Sequence, residues 1–365
     1  MNKLLVTGGA GFIGANFVHY WLQHHSADRV TVLDALTYAG NAANLAAAKA
    51  NPALRFVHGN ITDTALVESL LREELIDTVV HFAAESHVDR SIHGPDAFIE
   101  TNIVGTHSLL KAARKIWLQE KVVASHRFHH VSTDEVYGSL GPTDPGFTET
   151  TAYAPNSPYS ASKASSDHLV RAYFHTYGLN VTTSNCSNNY GPFHFPEKLI
   201  PLVIVNILHG RPLPIYGDGR NVRDWLYVGD HCRGIELVLG TGRSGEVYNI
   251  GGGSECENIA LVRMLCRIAD ARFAASPALR AQYPNCPASS GKSASSLITY
   301  VTDRAGHDRR YAIDCAKIQS ELGYQASVRL EAGLSSTLDW YLDNPQWWQA
   351  VMDGSYRQWI QTNYS

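Results

Sequence analysis

Along the first half of the chain, short apolar and β-branched runs alternate with segments whose apolar positions recur at helical spacing. The runs KLLVTGG (3–9), RVTVLDAL (29–36), LRFVHGNITD (54–63), TVVHFAA (78–84) and RFHHVST (127–133) predict strands. FIGANFVHYWLQHH (12–25), DTALVESLLREE (63–74) and FIETNIVGTHSLLKAARK (98–115) predict helices. Such alternation predicts an α/β fold, a doubly wound parallel sheet with helices on both faces and right-handed crossovers. After about residue 188 the texture changes: Pro, Gly and polar residues crowd NYGPFHFPEKLIP (189–201) and HGRPLPIYGDGRNVRDWLY (209–227). A smaller C-terminal α/β domain is expected there. The expected division is 1–187 plus about 225–250 for the first domain, and 188–224 plus about 251–365 for the second. The Ser-, Ala- and Pro-rich stretch 272–296 reads as a mobile surface loop. Trp340, Trp347, Trp348 and Trp359 read as packing anchors of terminal helices.

Composition narrows the classes. The 365 residues are 44% hydrophobic and 18% charged, enough for a large core. A net charge of -4 leaves no basic excess for nucleic acid. The opening MNKLLVTGGAGFIG has no signal-peptide pattern, and no apolar run is long enough to span a membrane. The six scattered cysteines form no C-x-x-C and read as reduced thiols of a cytoplasmic protein. No metal site is expected: His126, His129 and His130 lie along one strand and cannot all face one way. SGKS (290–293) imitates the end of a P-loop, but Cys286 stands where the leading Gly belongs and no strand feeds it.

TGGAGFIG carries chemistry. Gly8, Gly11 and Gly14 fall between the first strand and the first helix, the arrangement that brings a diphosphate to a helix N-terminus in a Rossmann sheet. The second strand ends in Asp34, placed to accept bonds from both ribose hydroxyls and to repel a 2′-phosphate, so NAD is expected rather than NADP. Asn60 and Ile61 follow the third strand where an adenine edge would sit. The small residues of FAAES (82–86) would lie beneath the cofactor, with Thr101 on the next helix.

PYSASKASSDHLVRAYF puts Tyr159 and Lys163 on one helical face. A phenol of pKa about 10 is a poor base at neutral pH. A neighbouring ammonium and a cationic nicotinamide favour the phenolate, which takes a sugar hydroxyl proton as hydride leaves the same carbon. These motifs resemble the extended short-chain dehydrogenase/reductase superfamily, whose nucleotide-sugar epimerases, dehydratases and reductases share a hydride step. HHVSTDEVYGS (129–139) chooses among them. Once C4 of a hexose is a ketone, the C5 hydrogen is acidic. A carboxylate and a carboxylic acid side by side then remove it and expel the C6 hydroxyl as water. Asp134 and Glu135 reach one substrate only if the strand ends before them. The runner-up enzymes are another nucleotide-sugar 4,6-dehydratase, which would share the pair, and a 4-epimerase, which needs no such pair. A non-catalytic NAD-binding sensor would have no use for Tyr159, Lys163, Asp134 and Glu135 together.

STDEVYG, AAESHVDRSI, YSASKASSDHLVRAY, NCSNNYGPFHFPEKLIPL, RDWLYVGDH, YNIGGG and GHDRRYAID together resemble the dTDP-glucose 4,6-dehydratase family over nearly the whole chain except 272–296. The resemblance implies bound NAD, a dTDP-hexose substrate and a homodimer through helices around 101–118 and 160–177. It implies Asp134 as acid at C6, Glu135 as base at C5, Tyr159 as base at the C4 hydroxyl, Thr133 on the C4 oxygen and Lys163 on the cofactor ribose. Cofactor positions fall on Phe12, Ile13, Ala35, Leu36, Thr37, Phe82, Ala83, Ala84, Ser86 and Asn189 besides those above. Substrate positions fall on Ser86, Asn188, Lys198, Leu199, Ile200, Pro214, Tyr216, Arg223, Asn258, Arg304 and His307. Three departures stand out, the first being that 272–296 is longer than the family pattern, just before the loop of Arg304 and His307. Asn60 replaces an acid before Ile61, and Ala305 replaces a Pro in the family's DRPGH.

Overall fold

Residues 2–303 and 306–354 are described by the structure, a computed structural model. Arg304, Ala305 and Trp359 lie outside the described residues. The strands are β1 (Lys3–Thr7), β2 (Arg29–Asp34), β3 (Leu54–His58), β4 (Thr78–His81), β5 (Arg127–Thr133), β6 (Val181–Cys186), β7 (Asn188–Tyr190), β8 (Leu213–Tyr216), β9 (Val222–Tyr227), β10 (Val247–Ile250), β11 (Glu255–Glu257) and β12 (Ile298–Val301). Seven of them form one sheet in the order β10-β6-β5-β4-β1-β2-β3, every neighbouring pair parallel. The chain builds outward from β1 to β3 and then returns to set β4 on the other side of β1. A crevice opens at that reversal, at the carboxyl ends of the strands.

Alternation along each strand supplies both faces of the sheet. Leu4 and Val6 of β1 pack with Phe17, Val18 and Ile235 on one side. Leu5 packs with Leu70, Leu110 and Val170 on the other. Each such side chain, taken fully out of water, contributes about 1.5–3 kcal/mol. The helix Pro158–Tyr177 starts at a capping box between Ser157 and Ser160, has Pro158 in its first turn and stops at Gly178, whose φ of 71° is left-handed.

The 98–115 pattern becomes a helical run from Asp96 to Gln119 in which Ile99–Gly105 and Arg114–Gln119 are π-helical. The first of these wide turns is tied down by Asn102. Its side chain accepts from Glu85 N (2.9 Å) and donates to Glu85 O (3.0 Å) and Ser162 Oγ (2.8 Å), joining the run to the loop after β4 and to the helix that carries Tyr159.

The remaining strands form a three-stranded sheet, β11-β9-β7, and a parallel pair, β12-β8. They pack with helices Leu199–His209, Asn258–Ala275 and Leu330–Asp343 around Ile204, Leu265 and Tyr341, with Trp348 buried and Trp340 and Trp347 against the edge. Ile318 and Tyr324, late in the chain, pack instead into the core of the large sheet.

The stretch 272–296 is not the mobile loop its composition suggested. It holds helix Pro277–Gln282 and two short 3-10 turns, and Tyr283, Cys286, Ala288 and Ala294 are buried in the second core. Four anchors at irregular spacing fasten it without any periodic pattern. SGKS lies at the end of one of those turns rather than after a strand.

Candidate active site

A cleft of about 500 Å³ lies at the topological switch, floored by the ends of β1, β2, β4, β5 and β6 and roofed by β7–β9 and the loops around 195–198 and 307–311. Its wall begins with the glycine loop. Gly8 has φ 71°, and a Cβ there would lie 2.6 Å from Ala83 N. A Cβ on Gly14 would lie 2.2 Å from Gly8 O. The helix Phe12–His24 starts at Gly11 with no side-chain cap, which leaves its first N–H groups facing the cleft for an anion. Asp34 closes β2. It accepts from Ala10 N (2.9 Å) and Leu36 N (2.8 Å), and burial raises its pKa against those two bonds. A cradle that tolerates no Cβ, uncapped amides and an acid at the strand end fit the diphosphate and ribose of NAD.

Ala35, Thr37, Asn60, Ile61, Phe82, Ala83, Ala84, Ser86 and Thr101 line the same side of the cleft, together with Phe12, Ile13 and Asn189. The Asn60 oxygen is engaged in its own turn by Thr62 N at 3.0 Å. Leu36 does not line the cleft. Its side chain turns into the core of the large sheet, and only its N–H points back, onto Asp34.

β5 ends at Thr133 and the chain winds at once into a 3-10 turn, Asp134–Tyr137. The strand therefore stops where two adjacent acids need it to, and both line the cleft. Thr133 Oγ1 accepts from Glu135 N and donates to Asp134 Oδ1, both at 3.3 Å. Asp134 is 2% exposed. Burial first, then the Glu135 and Asp224 carboxylates, hold its pKa well above the usual carboxylate range, which favours the protonated form.

Tyr159 and Lys163 face these acids from helix Pro158–Tyr177. Lys163 Nζ donates to Val131 O at 2.9 Å, and burial lowers its pKa to about 8. The expectation that this ammonium lowers the phenol is not met in the protein alone. Burial and the Glu135 charge push Tyr159 well above the usual range, opposed by the Thr133 hydroxyl beside it.

On the roof, Asn188, Lys198, Leu199, Pro214, Tyr216, Arg223, Asn258 and His307 line the cleft. Lys198 Nζ donates to Ser86 O at 3.1 Å, and the Arg223 guanidinium lies 4.3 Å over the Tyr311 ring. Ile200 does not line the cleft; it is fully buried on the inward face of its helix. Arg304 lies outside the described residues.

Sequence reasoning missed Trp225, Cys186 and Tyr311, which also line the cleft. Trp225 was legible in principle, because it alternates with Arg223 on β9, whereas the intervening Asp224 turns away to bond Gly252 N (2.9 Å) and Ser254 N (2.5 Å). Among the described residues, Asp134 Oδ2, Ser187 Oγ, Asn188 Oδ1, Trp225 Nε1 and Asn258 Oδ1 are buried in this lining without a hydrogen bond in the protein. Buried polar atoms of this kind mark a surface built to bond something else.

Comparison with known proteins agrees. The family model described as GDP-mannose 4,6 dehydratase matches residues 5–337. A dTDP-glucose 4,6-dehydratase of Xanthomonas campestris pv. campestris (strain B100) is 58% identical over 360 residues, 98% of each chain. That of Salmonella typhimurium (strain LT2) is 52% identical over 99% of each chain. The crystal structure of a dTDP-glucose 4,6-dehydratase from Streptomyces venezuelae, solved with NAD bound, superposes with a TM-score of 0.84 at 49% identity, covering 96% of this chain and 99% of that one. Identity at this level over nearly the full length makes the chain a member of the dTDP-glucose 4,6-dehydratase family.

Proposed function

We propose that the protein converts dTDP-glucose to dTDP-4-keto-6-deoxyglucose and water. The observation that carries the reading is the pair Asp134 and Glu135, released from β5 into one cleft opposite Tyr159 and Lys163, with the Asp134 pKa raised by burial and by its charged neighbours. NAD, which the glycine loop and Asp34 would hold, would supply a reversible acceptor for the hydride exchanged between C4 and C6.

The chain's own groups manage the protons. Tyr159 takes the proton of the C4 hydroxyl while Thr133 holds that oxygen. Lys163 fixes the ribose and adds positive charge beside the phenol. Glu135 removes the C5 proton, now alpha to a ketone, and Asp134 gives its proton to the departing C6 hydroxyl. Glu135 returns its proton to C5 as hydride reaches C6. The proton gained by Tyr159 balances the one Asp134 gives up, so sugar plus water is the only net change. Lys198 and Arg223 suit a nucleoside diphosphate by charge, and His307, Asn188 and Asn258 by their hydrogen-bonding groups.

The test is incubation with dTDP-, UDP-, CDP- and GDP-glucose side by side, assaying the 4-keto product in alkali. Turnover of the dTDP sugar in preference to the others supports the reading. A catalytically silent protein removes it and leaves an NAD-binding sensor, and turnover without loss of water makes it a 4-epimerase.

Assembly as a homodimer is part of the same reading. Ile99, Val104 and Tyr177 stand exposed on the two helical runs expected to pair. Light scattering after size exclusion measures it. No helix of the described residues is long and apolar enough to cross a membrane, and the cysteines form no disulfide, which fits a cytoplasmic enzyme.

A further inference from the structure

Beneath Tyr159 and Lys163 lies a layer of buried polar side chains that the proton transfers above do not use. His130 and Ser132 of β5 share the face that meets helix Pro158–Tyr177, while His129 turns to the other side, towards Thr182 and Ser184 of β6. On that helix Asp167 follows Lys163 by one turn, on the same face. The Asp167 carboxylate is 6% exposed. It accepts from Ser132 Oγ (2.9 Å), Tyr153 OH (2.9 Å) and His130 Nε2 (3.1 Å). Lys163, 4% exposed, bonds Val131 O between those two β5 side chains. Three successive residues of β5 thus anchor both charges of the helix.

Towards the cleft Lys163 faces Asp134 and the Glu135 carboxylate, while the imidazoles, thiol and phenols packed beside it in this layer are held neutral. From β4, His81 stands with its ring 5.2 Å from that of His130, bonded to Thr7 Oγ1 (2.7 Å) and Thr106 Oγ1 (2.9 Å). Burial keeps both imidazoles far below their ordinary pKa, and the Lys163 charge lowers them further. From β6, burial pushes the Cys186 thiol up to about 12. On the same helix Tyr159 is raised by burial, and His168 is at the surface. From the loop before the helix, the Tyr153 phenol is raised by burial and by Asp167. Among the described residues of this layer, Asp167 is the group left to balance the ammonium.

We propose that Asp167 is the buried counter-ion that keeps Lys163 charged and directed into the cleft, a positioning residue for the Tyr159–Lys163 pair. The inference rests on the catalytic reading of that pair. An isolated buried ammonium is costly and sheds its proton. Burial draws Lys163 down to about 8, with Asp167 holding it up. Burial draws Asp167 up to about 6, with Lys163, Ser132 and Tyr153 holding it down. Both are charged between those values, and above them the ammonium is lost.

The experiment is the pH profile of kcat and KM on NAD-loaded enzyme with dTDP-glucose, for wild type, Asp167→Asn and Tyr153→Phe. For Asp167→Asn the alkaline limb is expected to move to lower pH. At neutral pH kcat should fall about tenfold for each unit by which the limb drops below the assay pH. It should recover towards acid pH, with KM little changed. Tyr153→Phe removes one donor to the carboxylate and leaves more of its charge to the ammonium, so the alkaline limb is expected to move up. An Asp167→Asn profile that is unchanged, or lowered equally at every pH, overturns the proposal and leaves Asp167 a structural hub. If Asp167→Asn does not fold, an unmoved alkaline limb in Tyr153→Phe overturns it. Failure of the underlying reading shows separately, as wild-type enzyme that does not convert dTDP-glucose at all.

Discussion

Replacing Asp134 by Asn keeps the side chain's volume and removes its proton, which makes it the sharpest perturbation of the elimination step. Asp134 is 2% exposed, and burial with the Glu135 and Asp224 charges raises its pKa and favours the protonated form that the proposed acid role at C6 needs. A positioned acid is worth about 10²–10⁴ in rate. Loss of water is therefore expected to slow by that factor, equivalent to roughly 3–5 kcal/mol of barrier. Exchange of the C5 hydrogen needs Tyr159 and Glu135 but not Asp134, so it should persist. The assay is dTDP-glucose in deuterated water with NAD-loaded enzyme, reading 4-keto product in alkali and deuterium in recovered substrate by mass spectrometry. Labelled substrate with almost no product is the expected result. Wild-type turnover, or exchange lost together with dehydration, would refute the assignment. The same variant carries a stability signature. A carboxyl whose folded pKa is raised gives stability that is complete below the unfolded pKa, about 4 for Asp, and is lost as pH rises towards the folded value. Asp134→Asn lacks that loss, so its denaturation midpoint relative to wild type should climb from acid to neutral pH.

Glu135→Gln is expected to abolish both dehydration and C5 exchange while leaving the C4 hydroxyl step possible; dehydration at the normal rate would refute the base assignment. Gly14→Ala sets a Cβ 2.2 Å from Gly8 O, backbone that cannot swing aside, so the purified variant should carry little NAD and melt earlier, by the ~1–3 kcal/mol typical of overpacking. Asp34→Asn keeps an acceptor for only one of the two N–H groups that now bond the carboxylate and removes the charge that rejects a 2′-phosphate. Reconstitution should show weaker NAD binding and a narrower preference over NADP.

The first five strands were readable because β-branched runs, helical periodicity and the glycine loop agree with one another. The paired acids at the site were readable because the residues just beyond them, Val136, Tyr137 and Gly138, are compatible with a turn that ends the strand at Thr133. Other features depend on partners distant in sequence. The π-helical turn at Ile99–Gly105 is stabilised by Asn102 reaching Glu85 and Ser162, which no local pattern announces. Residues 272–296 have the composition of a loop, and their order comes from a few buried side chains whose neighbours lie on the Asn258–Ala275 helix and beyond. Leu36 and Ile200, expected at the site, sit in hydrophobic cores instead, because a motif locates a stretch of backbone without saying which way each side chain turns. The layer of His81, His130 and Asp167 reads in sequence as scattered polar residues; only the parallel register of β4 and β5, His81 beside His130, assembles it.

The central claim is that hydride leaves C4 of the sugar and comes back to C6 of the same molecule. dTDP-glucose carrying deuterium at C4 tests it in one incubation, with the product analysed by NMR. The account predicts a 4-keto-6-deoxy sugar with the deuterium in its C6 methyl group. Product whose methyl group lacks the label, or label retained at C4 with no water lost, would contradict it.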